Sequence, residues 1–442
     1  MTDKTPSISS RRDFMKSSTA AAAGASAFAS LALPRGAFAS NDDTIRIAVI
    51  GAGGRGSGAT NEALSTKGSV KLVAVADAFQ DHIDQKLPLW QKAHGDRVAV
   101  DKDHQFTGFD AYKKVMEMPE VDMVILATPP GFRPIHLEAA VAAGKNVFME
   151  KPVATDAPGV RKVLEAVKVA KEKDLKIGVG LQRHHQNTYL ETLKRIWDGA
   201  IGDVNVMRCY WNNPGVWDPR KTRDEVSGEM EYQLRNWYYY TWLCGDHICE
   251  QHIHNLDACN WLKGNTHPVI CHGTGGRGVR TDKKYGEIFD HFAIEYTYED
   301  GTKMFSQCRH QPGTRSDVSE HAHGSKGSAN LGGEINAGGK RWKFGKEDGK
   351  KNYPYQTEHD DLFAAIRNNT PYNEGEYGAN STMTAIMGRM AVYGGNEVKW
   401  EDAINSQIDL MPETYTWDTM PKVLPNKDGF YPVAIPGVTK TV

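Results

Sequence analysis

The chain has 442 residues and a formal net charge of −2, with 53 basic and 55 acidic side chains. Because this length exceeds the usual size of one hydrophobic core, it predicts two domains. The balanced charge argues against nucleic acid as the partner, since nucleic-acid-binding proteins present a strongly basic surface, and a small molecule is expected instead.

The N-terminus has the pattern of an export signal. Residues 10–16 read SRRDFMK, an Ala-rich apolar stretch follows over 19–33, and Ala37-Phe38-Ala39 has the form of a cleavage site. This order is typical of a twin-arginine signal, with a disordered basic tail as the alternative. We therefore expect residues 1–39 to be removed and the protein to be periplasmic or extracellular. The apolar stretch is too short for a transmembrane span, and no later segment is long enough.

A buried strand followed by a glycine-rich turn opens the first domain. Ile45 to Ile50 is an apolar run rich in β-branched residues, and Gly51, Gly53 and Gly56 follow it. In a nucleotide-binding turn the first glycine permits the sharp bend, the second admits a pyrophosphate, and the third lets the next helix pack closely. The pattern therefore predicts a dinucleotide site at a helix N-terminus.

A second strand, Val70 to Ala76, ends at Asp77, close to the distance from the first glycine at which a ribose-binding acid is expected. A carboxylate there accepts hydrogen bonds from ribose hydroxyls and repels a 2′-phosphate, so NAD is favoured over NADP. Asp77 could instead cap the next helix. Arg55 weakens the preference for NAD, because its guanidinium could reach a phosphate.

Two further strands end at the same sheet edge. Val121 to Ala127 runs into Thr128-Pro129-Pro130, where the prolines prevent a strand or helix from continuing. Lys145 to Met149 then delivers Glu150-Lys151-Pro152. Ligands of doubly wound sheets bind at the carboxyl ends of the strands, so both loops are predicted to line the site.

Beyond a helix over 157–173, a strand at 176–181 is predicted to enter the second domain. The polar segment after it contains Arg183 and His184, which we expect to face the substrate. Strands near 202–210, 269–273, 291–298 and 303–307 alternate in polarity and predict a sheet with one covered face. Between them, Trp237 and Tyr238 lie in an aromatic-rich insertion, suited equally to a core or to stacking on sugar rings.

A polar helix is predicted over 245–257. At helical spacing, His247, Glu250, His254 and Asp257 share one face. Histidine and carboxylate side chains on one face suit proton transfer. They also permit a zinc site built from His247, Glu250 and His254, although one helix presents these positions poorly to a single ion. A hydrogen-bonded core histidine is the third interpretation of His254.

Taken together, the glycine turn, Asp77, the Thr128-Pro129-Pro130 loop and Glu150-Lys151-Pro152 resemble the Gfo/Idh/MocA oxidoreductase family. The resemblance implies that Lys151 is catalytic and lies beside the nicotinamide, and that its peptide bond to Pro152 is cis. It further implies that His254 exchanges the hydroxyl proton, with Glu250 in place of the commoner Asp, and that Asp257 is part of the site. We expect no metal.

These inferences assign residues to the cofactor and the substrate. The predicted substrate-binding residues are Arg183, His184, Trp237, Tyr238 and Asp257. The predicted cofactor-binding residues are Gly51, Gly53, Gly54, Arg55, Gly56, Asp77, Thr128, Pro129, Glu150 and Lys151.

The expected fold is α/β, with an N-terminal Rossmann domain over 40–165 and an α/β domain with a large, open, mostly antiparallel sheet over 166–442. The resemblance implies an NAD-dependent oxidoreductase acting on a sugar or cyclic polyol, and a homo-oligomer formed through the second sheet. A redox-neutral, NAD-dependent glycosidase and a non-catalytic sugar-binding protein are the alternatives. Export predicts that the cofactor is held tightly, because free NAD is scarce outside the cytoplasm.

Overall fold

Six parallel strands form the first sheet of the structure, a computed structural model that describes residues 43–442. Their spatial order is β3-β2-β1-β4-β5-β6. The inner strands are continuous apolar runs, as in parallel sheets that are covered on both faces. The strands are β1 (Ile45–Ile50), β2 (Val70–Asp77), β3 (Gln105–Thr107), β4 (Met123–Leu126), β5 (Asn146–Met149) and β6 (Ile177–Val179).

Nine strands form the second sheet, in the order β14-β13-β12-β11-β7-β10-β9-β8-β15. Every neighbouring pair is antiparallel except β7 and β10, which confirms the predicted open, mostly antiparallel sheet. The strands are β7 (Val204–Asn213), β8 (Ile270–Gly276), β9 (His291–Thr297), β10 (Lys303–His310), β11 (Asp317–Gly324), β12 (Gly327–Asn330), β13 (Glu334–Ala337), β14 (Lys340–Lys343) and β15 (Val398–Lys399).

Helices cover both faces of the first sheet and one face of the second. They are α1 (Gly54–Leu64), α2 (Gln80–His94), α3 (Ala111–Met116), α4 (Arg133–Ala142), α5 (Ala157–Glu172), α6 (Asn187–Trp197), α7 (Glu229–Arg235), α8 (Thr241–Cys244), α9 (His247–Glu250), α10 (Ile253–Leu262), α11 (Pro354–Asn368), α12 (Gly375–Gly394) and α13 (Trp400–Ile404). Apolar residues of α1, α2 and α11 pack on one face of the first sheet, and those of α3, α4 and α5 pack on the other. This is the doubly wound arrangement that the sequence predicts.

Two features of the fold differ from the sequence-based predictions, and the predicted domain boundary is untested. The strand predicted to enter the second domain, β6, pairs with β5 at the edge of the first sheet. The predicted boundary after residue 165 falls inside α5 and stays a prediction, because the chain from Thr44 to Val442 forms one compact unit. Strand β3 was not predicted, since its three residues, Gln105 to Thr107, contain only one apolar side chain.

Aromatic side chains of the segment between β7 and α9 form a separate core. Tyr238, Tyr239 and Tyr240 are at most 2 % exposed and pack with Phe132, so most of this insertion is core, and Trp237 is only partly buried. The six cysteines are buried and free, as expected of small apolar side chains. Among the helices within 43–442, none has the length and apolar character needed to cross a membrane. The predicted export signal lies outside the described residues.

His359 is a buried histidine on α11. Its ring lies 4.1 Å from that of Phe148, Glu62 Oε2 lies 3.9 Å from its Nε2, and neither ring nitrogen forms a hydrogen bond within residues 43–442. Burial, with the nearby cations Arg55 and His185, lowers its pKa well below the ordinary value. The folded state therefore holds His359 neutral, whereas the unfolded chain protonates it below about pH 6.5.

We predict that His359→Phe removes a pH-dependent loss of stability. Because the unfolded wild type binds the extra proton, its free energy of unfolding should fall, relative to the variant, by about 2 kcal/mol between about pH 7 and pH 5. Urea unfolding of both proteins at several pH values measures this difference. Parallel pH profiles for the two proteins would contradict a neutral buried histidine.

Candidate active site

A cavity of about 660 Å³ lies at the carboxyl edge of the first sheet. Gly51 follows β1, Asp77 ends β2, Thr128 follows β4 and Lys151 follows β5, and all four line it. Its opposite wall comes from the second half of the chain, from Glu250 at the end of α9 and from other residues of α10, β7 and the aromatic insertion. Ligands of doubly wound sheets bind at this edge, so the cavity is the candidate active site.

The glycine turn has three different steric environments. Gly51 has a φ of +101°, and a Cβ there would lie 2.5 Å from the Ala127 carbonyl carbon. A Cβ on Gly56 would lie 1.8 Å from the Gly51 oxygen, so this glycine lets α1 pack against β1. A Cβ on Gly53 would meet no protein atom within 4 Å. Gly53 also begins α1 without a side-chain cap, which leaves helix N–H groups for a phosphate.

Asp77 lies at the cavity with both carboxylate oxygens fixed. Oδ2 accepts a 2.7 Å hydrogen bond from the Ala52 N–H, and Oδ1 accepts one of 2.9 Å from the Phe79 N–H. His82 Nδ1 lies 3.0 Å from Oδ1. An ionised carboxylate has about four acceptor positions, so Asp77 can order the turn before α2 and still accept from ribose hydroxyls. The alternative interpretation, a cap of the next helix, is not what the structure shows, because Phe79 begins α2 without a side-chain cap, and at this helix end the only backbone N–H that Asp77 binds is that of Phe79.

The Arg55 guanidinium is bound by three carboxylates. It donates to Glu150 at 2.5 Å, to Glu62 at 3.0 Å and to Glu358 at 3.5 Å, and it lies over the Tyr355 ring. Burial alone would lower the Arg55 pKa, but these carboxylates raise it above its ordinary value. Because its donors are bound to protein oxygens, Arg55 offers little to a 2′-phosphate, which supports NAD over NADP.

Buried Arg133 connects the two loops that follow β4 and β5. Its Nη2 donates to the Thr128 carbonyl oxygen at 2.7 Å, and its Nε donates to that of Glu150 at 3.0 Å. Burial lowers the Arg133 pKa to about 10. These contacts hold the loop of Thr128 and Pro129 against the residue that precedes Lys151, and all of these residues line the cavity.

Lys151 and Glu250 form an ion pair within the cavity wall. Lys151 Nζ donates to Glu250 Oε1 at 3.0 Å and to the Glu250 carbonyl oxygen, and the peptide bond to Pro152 is cis. Burial raises the pKa of Glu250, and the Lys151 ammonium offsets part of that rise. The pair joins the end of β5 to the end of α9 and fixes the lysine amine at the cavity.

His254 is neutral and lies beside this pair. Burial, followed by the positive charges of Lys151, Arg183 and Arg55, lowers its pKa well below the ordinary value. Its ring lies 5.9 Å from that of Trp211, and Nδ1 has no hydrogen-bond partner among the described residues. A neutral imidazole can accept a proton, so the side chain is in the form that a general base requires.

The single helix predicted over 245–257 is wrong, because the chain bends between α9 and α10. Asp246, at a φ of +72°, caps α9, and its Oδ1 lies 2.8 Å from His247 Nδ1. His247 is fully buried against Phe292 and does not line the cavity. The zinc set of His247, Glu250 and His254 is therefore not assembled, and no group of three or more potential metal ligands occurs within residues 43–442.

Most predicted substrate-binding residues lie behind the cavity wall. Arg183 is paired with Glu320, and His184 is stacked between the Trp261 and Tyr377 rings while it bonds to Asp257 at 2.9 Å. These contacts occupy the polar groups that were expected to face a substrate. The predicted substrate-binding residues that do not line the cavity are Arg183, His184, Tyr238 and Asp257.

Trp237 lines the cavity as predicted, and several other residues do so without having been predicted. Trp211 and Trp217 belong to the aromatic-rich insertion, whose composition was a signal for a sugar-binding surface. No spacing in the sequence distinguished these two residues from the other aromatic residues. Gln251 and Tyr355 carried no signal in the sequence. The unpredicted residues that complete this wall are Trp211, Trp217, Arg220, Gln251 and Tyr355.

Comparison with known proteins defines the class of the first domain. Residues 45–181 match the sequence model of an oxidoreductase family with an NAD-binding Rossmann fold. The first sheet is thus an NAD-binding Rossmann domain, and NAD is the cofactor, as predicted. The first domain is thus similar to the Gfo/Idh/MocA oxidoreductases, the family that the sequence pattern resembles.

Curated relatives include inositol 2-dehydrogenases. That of Rhizobium meliloti (strain 1021) is 26 % identical over 287 residues, which cover 64 % of this chain and 74 % of the relative. That of Gluconacetobacter diazotrophicus is 28 % identical over 241 residues, which cover 54 % of this chain and 66 % of the relative. A third, from Agrobacterium fabrum, is 30 % identical but matches over only 52 % of its length.

Solved structures share the fold over most of the chain. An aldose-aldose oxidoreductase from Caulobacter crescentus, complexed with glycerol, aligns with a TM-score of 0.64 and 18 % identity. A levoglucosan dehydrogenase in complex with NADH aligns with a TM-score of 0.63 and 16 % identity. Each alignment covers 80 % of this chain and 99 % of the other. At these identities the likeness establishes the fold alone.

The glycine turn gives a prediction with an internal control. Gly53→Ala should leave the protein folded, because the added methyl meets no protein atom, yet weaken NAD binding at least about tenfold, because the backbone can no longer approach the pyrophosphate. Gly56→Ala should instead lower the free energy of unfolding by about 1–3 kcal/mol, because its methyl meets the Gly51 oxygen. Calorimetric titration with NAD and urea unfolding separate the two effects. Wild-type NAD affinity in Gly53→Ala would contradict this role.

Proposed function

We propose that this protein is an exported, NAD-dependent oxidoreductase that acts on a sugar or a cyclic polyol. The observation that carries the proposal is the convergence of Lys151, Glu250 and His254 on the cavity that also contains the glycine turn and Asp77. The relatives named inositol 2-dehydrogenase support a polyhydroxylated ring as the substrate class.

Each residue of the candidate site has a separate role in the oxidation of an alcohol. The glycine turn and Asp77 would hold NAD, which would supply the acceptor for the hydride on the carbon that carries the reacting hydroxyl. Neutral His254 takes the hydroxyl proton, since its lowered pKa leaves it unprotonated at neutral pH. Lys151 polarises the same oxygen, and Glu250 holds the ammonium in place at 3.0 Å. The indole rings of Trp211, Trp217 and Trp237 offer apolar faces for the C–H face of a sugar ring.

We expect Lys151→Met and His254→Asn each to lower kcat by about 10²- to 10⁴-fold, because each removes a group that acts on the reacting oxygen. Stopped-flow absorbance of the nicotinamide, with myo-inositol, scyllo-inositol and glucose as probes, measures the step, and calorimetry checks that NAD still binds. Lys162→Met is the matched control, because Lys162 is exposed on α5 and pairs with Glu138. Full activity in either active-site variant would defeat the assignment.

Retention of the cofactor is part of the proposal. Arg235, from the aromatic insertion, donates to both Asp81 oxygens, at 2.9 and 2.7 Å, and lies 3.6 Å from the centre of the Phe79 ring. Trp417, from the C-terminal segment, packs on Phe79 and Phe109 at 5.3 and 4.7 Å. Arg235 and Phe79 line the cavity together with Asp77, so these contacts cover its ribose-binding end. A covered cofactor suits an exported enzyme, in which a second substrate would be reduced while NADH is oxidised back to NAD without leaving the site.

Breaking the contacts of Arg235 with Asp81 and Phe79 should release the cofactor. For Arg235→Gln we predict an NAD dissociation rate at least about tenfold above that of the wild type, since the variant loses both charge-assisted hydrogen bonds and the contact with Phe79. Dialysis followed by mass spectrometry of the retained nucleotide measures the loss. Arg341→Gln, which breaks an exposed ion pair on β14, serves as the control. Rapid loss of NAD from the wild type itself would contradict a retained cofactor.

The redox-neutral glycosidase remains the alternative within the family. Release of the aglycone from aryl glycosides, without added NAD, would favour it over the dehydrogenase.

The proposed homo-oligomer places two copies of the second sheet against each other through the face that the helices leave uncovered.

A further inference from the structure

Gln251 lines the cavity at the bend between α9 and α10, immediately after Glu250. Its side chain is held from behind by His310, the last residue of β10, whose Nε2 lies 2.8 Å from Gln251 Oε1. His310 is in turn held by Arg280, whose Nη2 lies 2.6 Å from His310 Nδ1. These three side chains form a single hydrogen-bonded series that ends in the cavity.

The direction of every hydrogen bond in this series is fixed by Arg280. A guanidinium has donors only, so His310 Nδ1 must accept. Burial, with the charges of His247 and Arg280, lowers the pKa of His310 well below its ordinary value, which keeps the ring neutral. A neutral imidazole that accepts at Nδ1 carries its proton on Nε2. The Nε2–H therefore donates to Gln251, and the Gln251 atom that receives it must be the amide oxygen.

The amide nitrogen of Gln251 is therefore available to donate a hydrogen bond to a ligand. Its oxygen is bound to His310, and no acceptor within residues 43–442 forms a hydrogen bond with its NH₂ group. Gln251 thus presents two N–H donors in the wall that contains Glu250 and His254. Glutamine in another environment could turn its amide and offer either group, but the His310 contact removes that choice.

The two supporting side chains are buried, and one of them, Arg280, is positively charged. His310 is 1 % exposed, and its ring packs 4.5 Å from that of His247 and 5.9 Å from that of Tyr238. Arg280 is 6 % exposed, lies over the Tyr239 ring and forms no ion pair with a carboxylate in the described part of the chain. A buried cation at one end of a hydrogen-bonded series polarises it, which makes the far N–H a stronger donor.

We propose that Gln251 is a specificity-determining residue that donates a hydrogen bond to an oxygen substituent of the substrate, and that His310 and Arg280 are its positioning residues. The substrate oxygen is a hydroxyl of the sugar or polyol ring next to the carbon that is oxidised, because Gln251 lies beside Glu250 in the same wall. This inference rests on the proposed function. It explains how the site selects an oxygen acceptor at one ring position.

Gln251→Glu tests the donor, because it keeps the length of the side chain and an oxygen for His310 while it replaces NH₂ by oxygen. With whichever of myo-inositol, scyllo-inositol and glucose the wild type oxidises fastest, we expect KM to rise at least about tenfold and kcat to change less than about threefold. Gln91→Glu, at an exposed position of α2, is the matched control and should change neither constant.

Variants of His310 test the positioning. His310→Phe keeps a ring but has no donor, so it should raise KM as much as Gln251→Glu does, and the double variant should be no worse than either. His310→Gln restores an N–H toward Gln251 and should recover most of the affinity. A purely structural role would instead show additive losses, no recovery, and a fall in kcat together with stability.

The outcomes separate this inference from the proposed function. An active wild type whose KM is unchanged in Gln251→Glu would overturn the donor role alone. A wild type that oxidises none of the three probes would overturn the proposed function for these substrates. In that case ¹⁵N NMR of the histidine-labelled, NAD-bound protein tests the inference without a substrate. His310 must then carry its proton on Nε2, and a proton on Nδ1 would overturn the proposed series.

Discussion

The ion pair between Lys151 and Glu250 is the contact on which the candidate site depends. It joins a residue that follows β5 in the first sheet to the end of α9. The pair therefore links the cavity wall that contains the glycine turn to the opposite wall, which is expected to face the substrate. Burial makes the Glu250 carboxylate costly, and the lysine is the main group that offsets that cost. Loss of either partner leaves an uncompensated charge in the cavity wall.

The same cations determine the protonation of His254. Lys151, Arg183 and Arg55 each disfavour the imidazolium, in addition to burial, and each is anchored by a carboxylate of its own: Glu250, Glu320 and Glu150. The carboxylates therefore act on the histidine indirectly, by fixing where the positive charge lies. A histidine surrounded in this way is unprotonated before the reaction and binds a proton weakly, so once protonated it passes the proton on easily.

Local patterns in the sequence predicted the parts of the site that local structure determines. Strand β1, the glycine turn and Asp77 follow from one apolar run and its spacing, and the family resemblance supplied Lys151, Glu250 and His254. Arg183 and His184 were misplaced because their partners, Glu320, Trp261 and Tyr377, are distant in sequence. A polar segment at a strand end looks the same whether its charges face a ligand or a buried partner.

Asp246, which precedes α9, shows how tertiary contacts override a helical pattern. With φ +72° and ψ 164°, Asp246 has a backbone conformation that is costly for any residue but glycine, of order 1–3 kcal/mol. Its carboxylate binds the His247 N–H and ring, the Phe289 N–H at 2.8 Å and the Tyr393 hydroxyl at 2.6 Å, and these bonds hold the conformation. A second irregularity follows Glu250, where α9 ends and α10 begins only at Ile253. This break lets the consecutive residues Glu250 and Gln251 both line the cavity, which successive positions of a straight helix, about 100° apart, would not favour.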